Sequence, residues 1–443
     1  MFVNKNIILF MLACMCFCIE AFPQDSTSFS LTDAIIQGLD NNYTIRLARN
    51  SEQVSSNNAS IGNAGMLPSL TATGTLNKGI ANSNMKFADD RVQERTGAKS
   101  TNWNGNVAFS WTVFDGLTMF ANYNRLKELE MMGQENVRMA VQQTISSIII
   151  TYYDIVSRQQ EIDALTHILK ISRKRLQSAN DLFQAGKVSK VDLLSARVDY
   201  NADTASYIQQ IEDLKNAKIQ LNKLLARDID IEFWASDSIF IDQSLVYGKI
   251  HDDAMATNPD VILSRMSVNV AVFSLKAVQG SRYPQLKLTS SYALTKLNSE
   301  SGQVVENKSG TFNYGASVSV PLFNGLNINR EIKNARLDKE AADLRYEETQ
   351  KDIEAQVATA YSAYEVNRKL AAFEKANLKL AAENLDISME RYRFGAISAI
   401  ELREVQRSYI SANNRLIIAT YNAKVAETSL KLLTGEVIDV QAI

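Results

Sequence analysis

The sequence predicts an α+β membrane protein that combines strands of a transmembrane β-barrel with long coiled-coil helices. Three observations predict this class. The two halves of the chain share motifs at a constant spacing, four segments alternate apolar and polar residues, and long segments repeat apolar residues every seven positions. Together they indicate a membrane wall of strands that continues into helices.

The N-terminus has the features of a secretory signal. Lys5 precedes an apolar run from Ile7 to Ile19, which is too short for a transmembrane helix. Cleavage after Ala21 assigns residues 1–21 to a signal peptide. The surroundings of Cys14 loosely resemble a lipobox, so lipid attachment there stays an alternative to removal with the signal.

The composition excludes several kinds of site and partner. The chain has 49 acidic and 47 basic residues and no long run of either sign, which argues against nucleic acid as a partner. Its three cysteines all lie in the predicted signal: Cys14, Cys16 and Cys18. The remaining chain therefore has neither a disulfide nor a thiolate metal site, and packing must stabilise it.

The chain reads as two copies of one unit. Asp115-Gly116 recurs as Asn324-Gly325, and a motif that ends in an acidic residue and leucine begins at both Gly186 and Gly395. Both spacings are 209 residues (324 − 115 and 395 − 186). A repeat of this length predicts two structural units of the same kind.

The boundaries of the copies follow from the same comparison. Pro68 and Pro284 are 216 residues apart, so the second copy is seven residues shorter than the first between its proline and its Asn-Gly. Length differences belong in exposed loops. We predict a first repeat at residues 22–243 and a second at residues 244–443, each with a helix, two strands and a long helical hairpin.

Four segments have the alternation of strands with one apolar face. They are Leu70–Leu76, Trp103–Val113, Leu286–Thr295 and Thr311–Val320. Strands of about 9–11 residues with one apolar and one polar face suit a transmembrane β-barrel. We predict polar loops between the strands of each pair, at Ala81–Asn102 and Asn298–Gly310.

A soluble sandwich is the alternative for these strands. It needs further strands to pack against, whereas the rest of the chain has only helical periodicity. Four strands cannot close a barrel, because known barrels start at about eight strands and open edges are not tolerated in lipid. The membrane interpretation therefore requires several copies of the chain.

The helical segments carry a seven-residue repeat, which is typical of coiled coils. After Asp115-Gly116 it runs through Val141, Ile148, Ile155, Ile162, Leu169, Leu176 and Phe183. No proline interrupts Leu117 to Gln184, so one helix of about 100 Å is expected at about 1.5 Å per residue. A soluble rod or an adaptor hairpin is the alternative for the heptads alone.

The doubled set of motifs resembles the TolC-like outer-membrane factor family across essentially the whole mature chain. The motifs are Leu31-Thr-Asp-Ala34 with Asn41-Asn42, Pro68-Ser-Leu70, Phe114-Asp-Gly116 with Phe323-Asn-Gly325, and the turns Ala185-Gly186 and Phe394-Gly395. The resemblance implies a trimer in the outer membrane of a Gram-negative bacterium. Each chain gives four strands to one twelve-stranded barrel, and its helices to a tunnel that crosses the periplasm.

The resemblance also implies that the two hairpin turns form the periplasmic entrance and dock on an adaptor protein. The docking residues are then Gly186, Val188, Ser189, Gly395, Ile397 and Ser398. The residues themselves have a simpler explanation: glycine permits a tight turn, and Ser189 and Ser398 can cap the next helix with Asp192 and Glu401 as capping-box partners.

A gate at the entrance is a further implication of the family pattern. The matching positions are Glu401, Glu404 and Tyr392, with Asp192 on the first hairpin. Ile397 occupies a position where the family has a basic residue, and the candidates to replace that residue are Arg391, Arg393 and Arg403.

No catalytic or metal motif accompanies these features. His167 and His251 have no ligand cluster at a suitable spacing, and we expect neither an enzyme nor a cofactor. The resemblance implies a passive exit duct of a tripartite efflux or type I secretion system, driven by a resistance-nodulation-division or ATP-binding-cassette transporter of the inner membrane. A periplasm-spanning tether without a pore is the alternative.

Overall fold

The computed structural model describes residues 27–300 and 304–436, so the predicted signal peptide lies outside the described residues. The chain forms two compact units, each built from several segments. Among the described residues, unit 1 contains 27–46, 141–251 and 356–436, and unit 2 contains 47–140, 252–300 and 304–355.

Along the chain the described elements give one order twice: a short strand, two shorter helices, two longer strands and two long helices. In order they are β1 Thr27–Phe29, α1 Leu31–Asn41, α2 Tyr43–Asn58, β2 Ser69–Lys86, β3 Val92–Asp115, α3 Thr118–Gln184, α4 Lys190–Leu224, β4 Phe233–Ala235, α5 Tyr247–Thr257, α6 Pro259–Gly280, β5 Gln285–Ser299, β6 Glu306–Ser319, α7 Asn327–Arg393 and α8 Ala399–Leu433.

The long helices occur in two pairs of equal length. Helices α3 and α7 each have 67 residues, and α4 and α8 each have 35. The predicted helix from Leu117 to Gln184 is confirmed, since α3 begins one residue later and ends at Gln184. At about 1.5 Å per residue, a helix of this length extends about 100 Å.

Unit 2 contains an antiparallel four-stranded sheet in the order β2-β3-β5-β6. Its register places the apolar positions of all four strands on one face, because directly paired residues share a face. One transverse row joins Ala72, Val107, Tyr292 and Phe312. The next row joins Leu70, Phe109, Ser290 and Tyr314.

The opposite face of this sheet is polar. One of its rows joins Thr73, Asn106, Ala293 and Thr311. Apolar side chains on the other face stay exposed in the single chain, Tyr314 to 82% and Val318 to 67%. Strands β2 and β6 are the edges of the sheet and each pairs with one neighbour among the described residues.

The predicted polar loops between the strands are wrong in extent. Strand β2 continues to Lys86 and β3 begins at Val92, so only residues 87–91 connect them. In the other hairpin β5 reaches Ser299 and β6 begins at Glu306. The backbone hydrogen bonds between strands form whatever the side chains are. Alternation of apolar and polar residues reveals only the portion of a strand that has an apolar face. The polar continuation of each strand therefore looked like a loop.

The strand-to-helix connection after β3 explains the Phe-Asp-Gly motif. Gly116 has φ +71°, and a Cβ there would lie 2.2 Å from the carbonyl oxygen of Gly280, so the position accepts only glycine. The Asp115 carboxylate accepts a hydrogen bond from the Met119 amide at 3.1 Å and caps the start of α3. Both residues thus fix how the sheet passes into the helix.

Asn42 and Asn258 occupy equivalent positions in the two copies, 216 residues apart, and both cap helices. Asn42 accepts hydrogen bonds from the amides of Thr44 at 2.8 Å and Ile45 at 3.3 Å, at the start of α2. Asn258 accepts from those of Asp260 at 2.9 Å and Val261 at 3.2 Å, at the start of α6. By length and composition the run Tyr247–Gly280 could cross a membrane, but Asn258 divides it into two helices.

The core of unit 1 lies around Tyr152, which is fully buried. Its hydroxyl donates to the Asp237 carboxylate, with the oxygens 2.7 Å apart, and lies 2.8 Å from the carbonyl oxygen of Phe29. Strands β1 and β4 pair in parallel beside it. The Arg227 guanidinium lies 4.3 Å from the ring centroid of Phe29, a cation–π contact that closes this core.

Candidate functional site

The candidate site lies at the two turns that join the long helices, both within unit 1. Residues 185–189 join α3 to α4, and residues 394–398 join α7 to α8. Gly186 has φ +70° and Gly395 has φ +71°. No atom lies within 4 Å of a Cβ built at either glycine, so the backbone conformation and not crowding requires glycine here.

Each turn satisfies the carbonyl groups at the end of the first helix. The Gly186 amide donates to Phe183 and the Lys187 amide to Leu182, with N–O distances of 3.0 and 2.8 Å. The same pattern recurs in the second hairpin, where the Gly395 and Ala396 amides donate at 3.0 and 2.9 Å. This is the Schellman arrangement, in which a residue with positive φ ends the helix.

Capping boxes begin the second helix of each hairpin, as we predict from the Ser-x-x-acid spacing. The Ser189 amide donates to the Asp192 carboxylate at 3.0 Å, and the Asp192 amide donates to the Ser189 hydroxyl at 3.2 Å. In the second hairpin the Ser398 amide donates to Glu401 at 2.9 Å. The hydroxyl and amide of Ser189 hold the pKa of Asp192 below its ordinary value.

The other predicted gate residues differ in their surroundings. Glu404 is exposed and lies one turn after Glu401 on α8. Tyr392 is half-buried and packs against a small core formed by Ile168, Leu385 and Leu402. Burial raises the pKa of Tyr392, the positive charge of Arg175 opposes this rise, and the negative charge of Asp192 adds to it.

The predicted docking residues are not equally accessible. Gly186, Ser189, Gly395 and Ser398 are exposed, whereas Val188 is only partly so. Ile397 packs against the same small core as Tyr392. Its apolar side chain is therefore partly engaged in packing at this turn. Three larger apolar side chains stand exposed beside the turns: Phe394 at 84%, Ile400 at 82% and Val191 at 69%.

A cluster of charges links the two hairpins behind the turns. The Arg403 guanidinium on α8 donates two hydrogen bonds to the Asp203 carboxylate on α4, both at 2.9 Å. The Ser172 hydroxyl on α3 donates to the same carboxylate at 2.5 Å. Asp199 pairs with Arg175 at 2.8 Å and lies 3.5 Å from Arg403. The cluster thus connects three of the four long helices.

This cluster was only partly visible in the sequence. Arg403 is one of the three residues that we name as replacements for the missing base, and Arg393 instead pairs with Glu390 at 3.0 Å on its own helix. Burial disfavours the charge of Arg403, but the hydrogen bonds and charge of Asp203 outweigh it and raise the arginine's pKa. The spacing of Asp199 and Asp203, four residues apart on α4, is the one signal that could have suggested a shared partner.

The two histidines lie beside aromatic rings. His167 is 6.1 Å from the ring of Tyr409, and His251 is 6.1 Å from that of Tyr247. Within residues 27–300 and 304–436, no group of three or more His, Cys, Asp or Glu side chains is placed to hold a metal ion.

A family model described as outer membrane efflux protein matches residues 34–227 and 250–436. The chain belongs to the outer membrane efflux protein family. Our prediction of the family is confirmed. This outer membrane efflux protein lies in the outer membrane with its helical part in the periplasm. It is a transport protein of a family of efflux and secretion channels.

Individual relatives cover almost the whole chain at low identity. The outer membrane efflux protein BepC of Brucella suis is 20% identical over 412 residues, which are 93% of this chain and 86% of BepC. The alkaline protease secretion protein AprF of Pseudomonas aeruginosa is 21% identical, and the match covers 93% of this chain and 85% of AprF.

Solved structures share the fold. The CmeC outer membrane channel of Campylobacter jejuni has a TM-score of 0.77 at 17% identity, covering 93% of this chain and 90% of CmeC. The helix-rich α+β class that we predict agrees with this likeness.

Proposed function

We propose that three copies of this efflux protein close one twelve-stranded barrel and form a passive exit duct for solutes from the periplasm or cytoplasm to the outside. The observation that carries the proposal is the apolar face that spans all four strands of a sheet with two open edges. Open edges are costly in lipid, and closure with neighbouring copies removes them. The polar face then lines the lumen.

The helices support the same assembly. The two pairs of equal length follow each other at a spacing of 209 residues, which supports the two repeats at 22–243 and 244–443. Each chain then contributes two similar hairpins. Three chains give six hairpins around one axis, and exposed apolar residues of α7 such as Leu337, Leu344 and Phe373 gain partners in the neighbouring chains.

We place the entrance of the duct at the hairpin turns. Three copies of Glu401 and Glu404 around a narrow mouth concentrate cations, because a ring of like charges focuses the field. The cluster of Arg403 and Asp203 holds the two hairpins of one chain together and keeps the entrance closed at rest. Tyr392 interacts electrostatically with Arg175 of this cluster and with Asp192, and we assign Tyr392 and Asp192 to the same gate.

The exposed turns are the proposed docking surface for a periplasmic adaptor. Phe394, Ile400 and Val191 offer apolar anchors, and exposed apolar clusters of this kind mark interaction sites. The energy comes from an inner-membrane transporter of the resistance-nodulation-division or ATP-binding-cassette class. The names of BepC and AprF, one an efflux and one a secretion protein, support either kind of machine.

Conductance in planar lipid bilayers tests the duct. We expect small current steps from the wild-type protein and larger steps from Arg403→Ala, since that change releases the hairpins. Arg407→Ala removes an exposed arginine one turn later on α8 and is the matched control, with wild-type steps expected. Bilayers that stay silent with all three proteins would favour the tether without a pore.

A further inference from the structure

A cluster of cations lies in unit 2 where β6 leads into α7. An open groove of about 420 Å³ is lined by eight residues, of which four are cationic and none is acidic. The four are Arg282, Arg330, Lys333 and Arg336. Arg282 approaches α7 from the end of α6, and its guanidinium donates to the Asn329 side chain at 2.6 Å.

Little negative charge balances this cluster. Arg330 has an exposed partner in Glu331 at 3.3 Å. Among the described residues, no salt bridge joins Lys333 or Arg336 to a carboxylate, and both side chains are exposed. Like charges on neighbouring helix turns repel one another, and an anion bound between them would relieve this repulsion.

The groove adjoins the apolar face of the sheet. A second, smaller cavity shares Arg282 and is also lined by Leu322 and Phe323. These two side chains are 93% and 80% exposed and follow directly on the apolar positions Phe312, Tyr314, Val318 and Val320. The cations therefore begin where the lipid-facing surface ends, on the side of the sheet from which the periplasmic helix starts.

The other strand-to-helix connection lacks this feature. The positions 209 residues before Arg330, Lys333 and Arg336 are Ala121, Asn124 and Lys127. Lys127 pairs with Glu130 at 2.8 Å on its own helix. The start of a long helix beneath the sheet thus does not require a cationic cluster, and the cluster after β6 needs an explanation of its own.

We propose that Arg282, Arg330, Lys333 and Arg336 bind the phosphate of an anionic phospholipid in the periplasmic leaflet of the outer membrane. Leu322 and Phe323 then contact its acyl chains. Arginine and lysine at the rim of an apolar surface recognise such headgroups. This inference rests on the proposed position of the sheet in the membrane, but it does not require the chain to conduct ions. The absence of current in planar bilayers would therefore not contradict it.

Native mass spectrometry of the full-length protein in detergent tests this site with added dioleoylphosphatidylglycerol. We expect the wild type to retain this lipid in preference to dioleoylphosphatidylcholine. Because each cation near an anionic surface contributes about fivefold in affinity, Lys333→Gln with Arg336→Gln lowers retention roughly thirtyfold. The control pair Lys351→Gln with Lys379→Gln removes the same charge elsewhere on α7 and retains the wild-type preference.

Three outcomes would overturn the proposal. Equal retention of the two lipids by the wild type would leave no role for the cations. Displacement of the lipid by millimolar inorganic phosphate would indicate a site for free anions. A change of oligomeric state in the Lys333 and Arg336 variant, but not in the control, would mean that an acidic surface of a neighbouring copy covers the groove.

Discussion

Arg403 and Asp203, 200 residues apart in the chain, form a two-pronged ion pair with both N–O distances at 2.9 Å. Their side chains are 13% and 8% exposed, so water screens the pair only weakly. The pair joins the second hairpin to the first within one chain. Opening of the proposed entrance by a movement of one hairpin against the other would therefore break this pair.

The first prediction concerns this pair. Removing one partner leaves the other charge buried and costs on the order of 3 kcal/mol, so Arg403→Ala and Asp203→Asn should each lower the thermal unfolding midpoint. Each should also let large antibiotics enter cells through a leaking duct. Arg403→Met combined with Asp203→Leu leaves no unpaired charge and should recover most of the stability. Single variants that unfold at the wild-type midpoint and admit no more antibiotic than the wild type would contradict this role of the ion pair.

Charge and capping can be separated at Glu401. Glutamine also completes a capping box, so Glu401→Gln with Glu404→Gln removes the charges while α8 keeps its cap. We expect a reduced preference for cations in bilayer recordings at an unchanged unfolding midpoint. Glu347→Gln with Glu348→Gln makes the same charge change on an exposed part of α7. Wild-type selectivity in the first pair would remove Glu401 and Glu404 from the gate.

The turn glycines provide a test of adaptor docking. Arginine at Gly186 or Gly395 places a bulky charge on the exposed turn, and the positive φ costs about 1–2 kcal/mol locally. We expect drug resistance in cells to fall while the purified oligomer stays intact. Gly248→Arg is the control, because Gly248 is exposed, has no positive φ and lies in α5. Full resistance with both turn variants would rule out the turns as the docking surface.

Asp242 predicts how stability depends on pH. The hydroxyl and amide of Ser244 together with Lys431 lower the pKa of Asp242 to about 2. Because this value lies below that of the unfolded chain, the stabilisation is complete above about pH 4 and is lost as the pH falls toward 2. The unfolding midpoint of Asp242→Asn should lie below that of the wild type at pH 6 and approach it at pH 2.5. A constant difference would contradict the assignment.

The sequence predicted elements whose signal repeats locally. The heptads and the absence of proline located α3 to within one residue, and alternation identified the apolar face of β3 from Trp103 to Val113. The polar ends of β2 and β3 carry no such period, because both of their faces are polar, and they were mistaken for loops. The capping boxes at Ser189 and Ser398 followed from a three-residue spacing.

Contacts between distant segments of the chain could not be predicted from local sequence patterns. Arg403 and Asp203, or Arg282 and Asn329, meet only because the chain folds, and no local pattern records their pairing. Ile397 illustrates the same limit, since its contact with the core around Leu402 explains an apolar residue that the family pattern made unexpected.

Native mass spectrometry of the detergent-extracted protein tests the central claim most directly, because a closed barrel requires a fixed number of four-stranded sheets. We predict a single assembly of three chain masses that survives dilution and moderate activation. A monomer, or a mixture of species without a dominant trimer, would contradict the shared barrel and with it the exit duct.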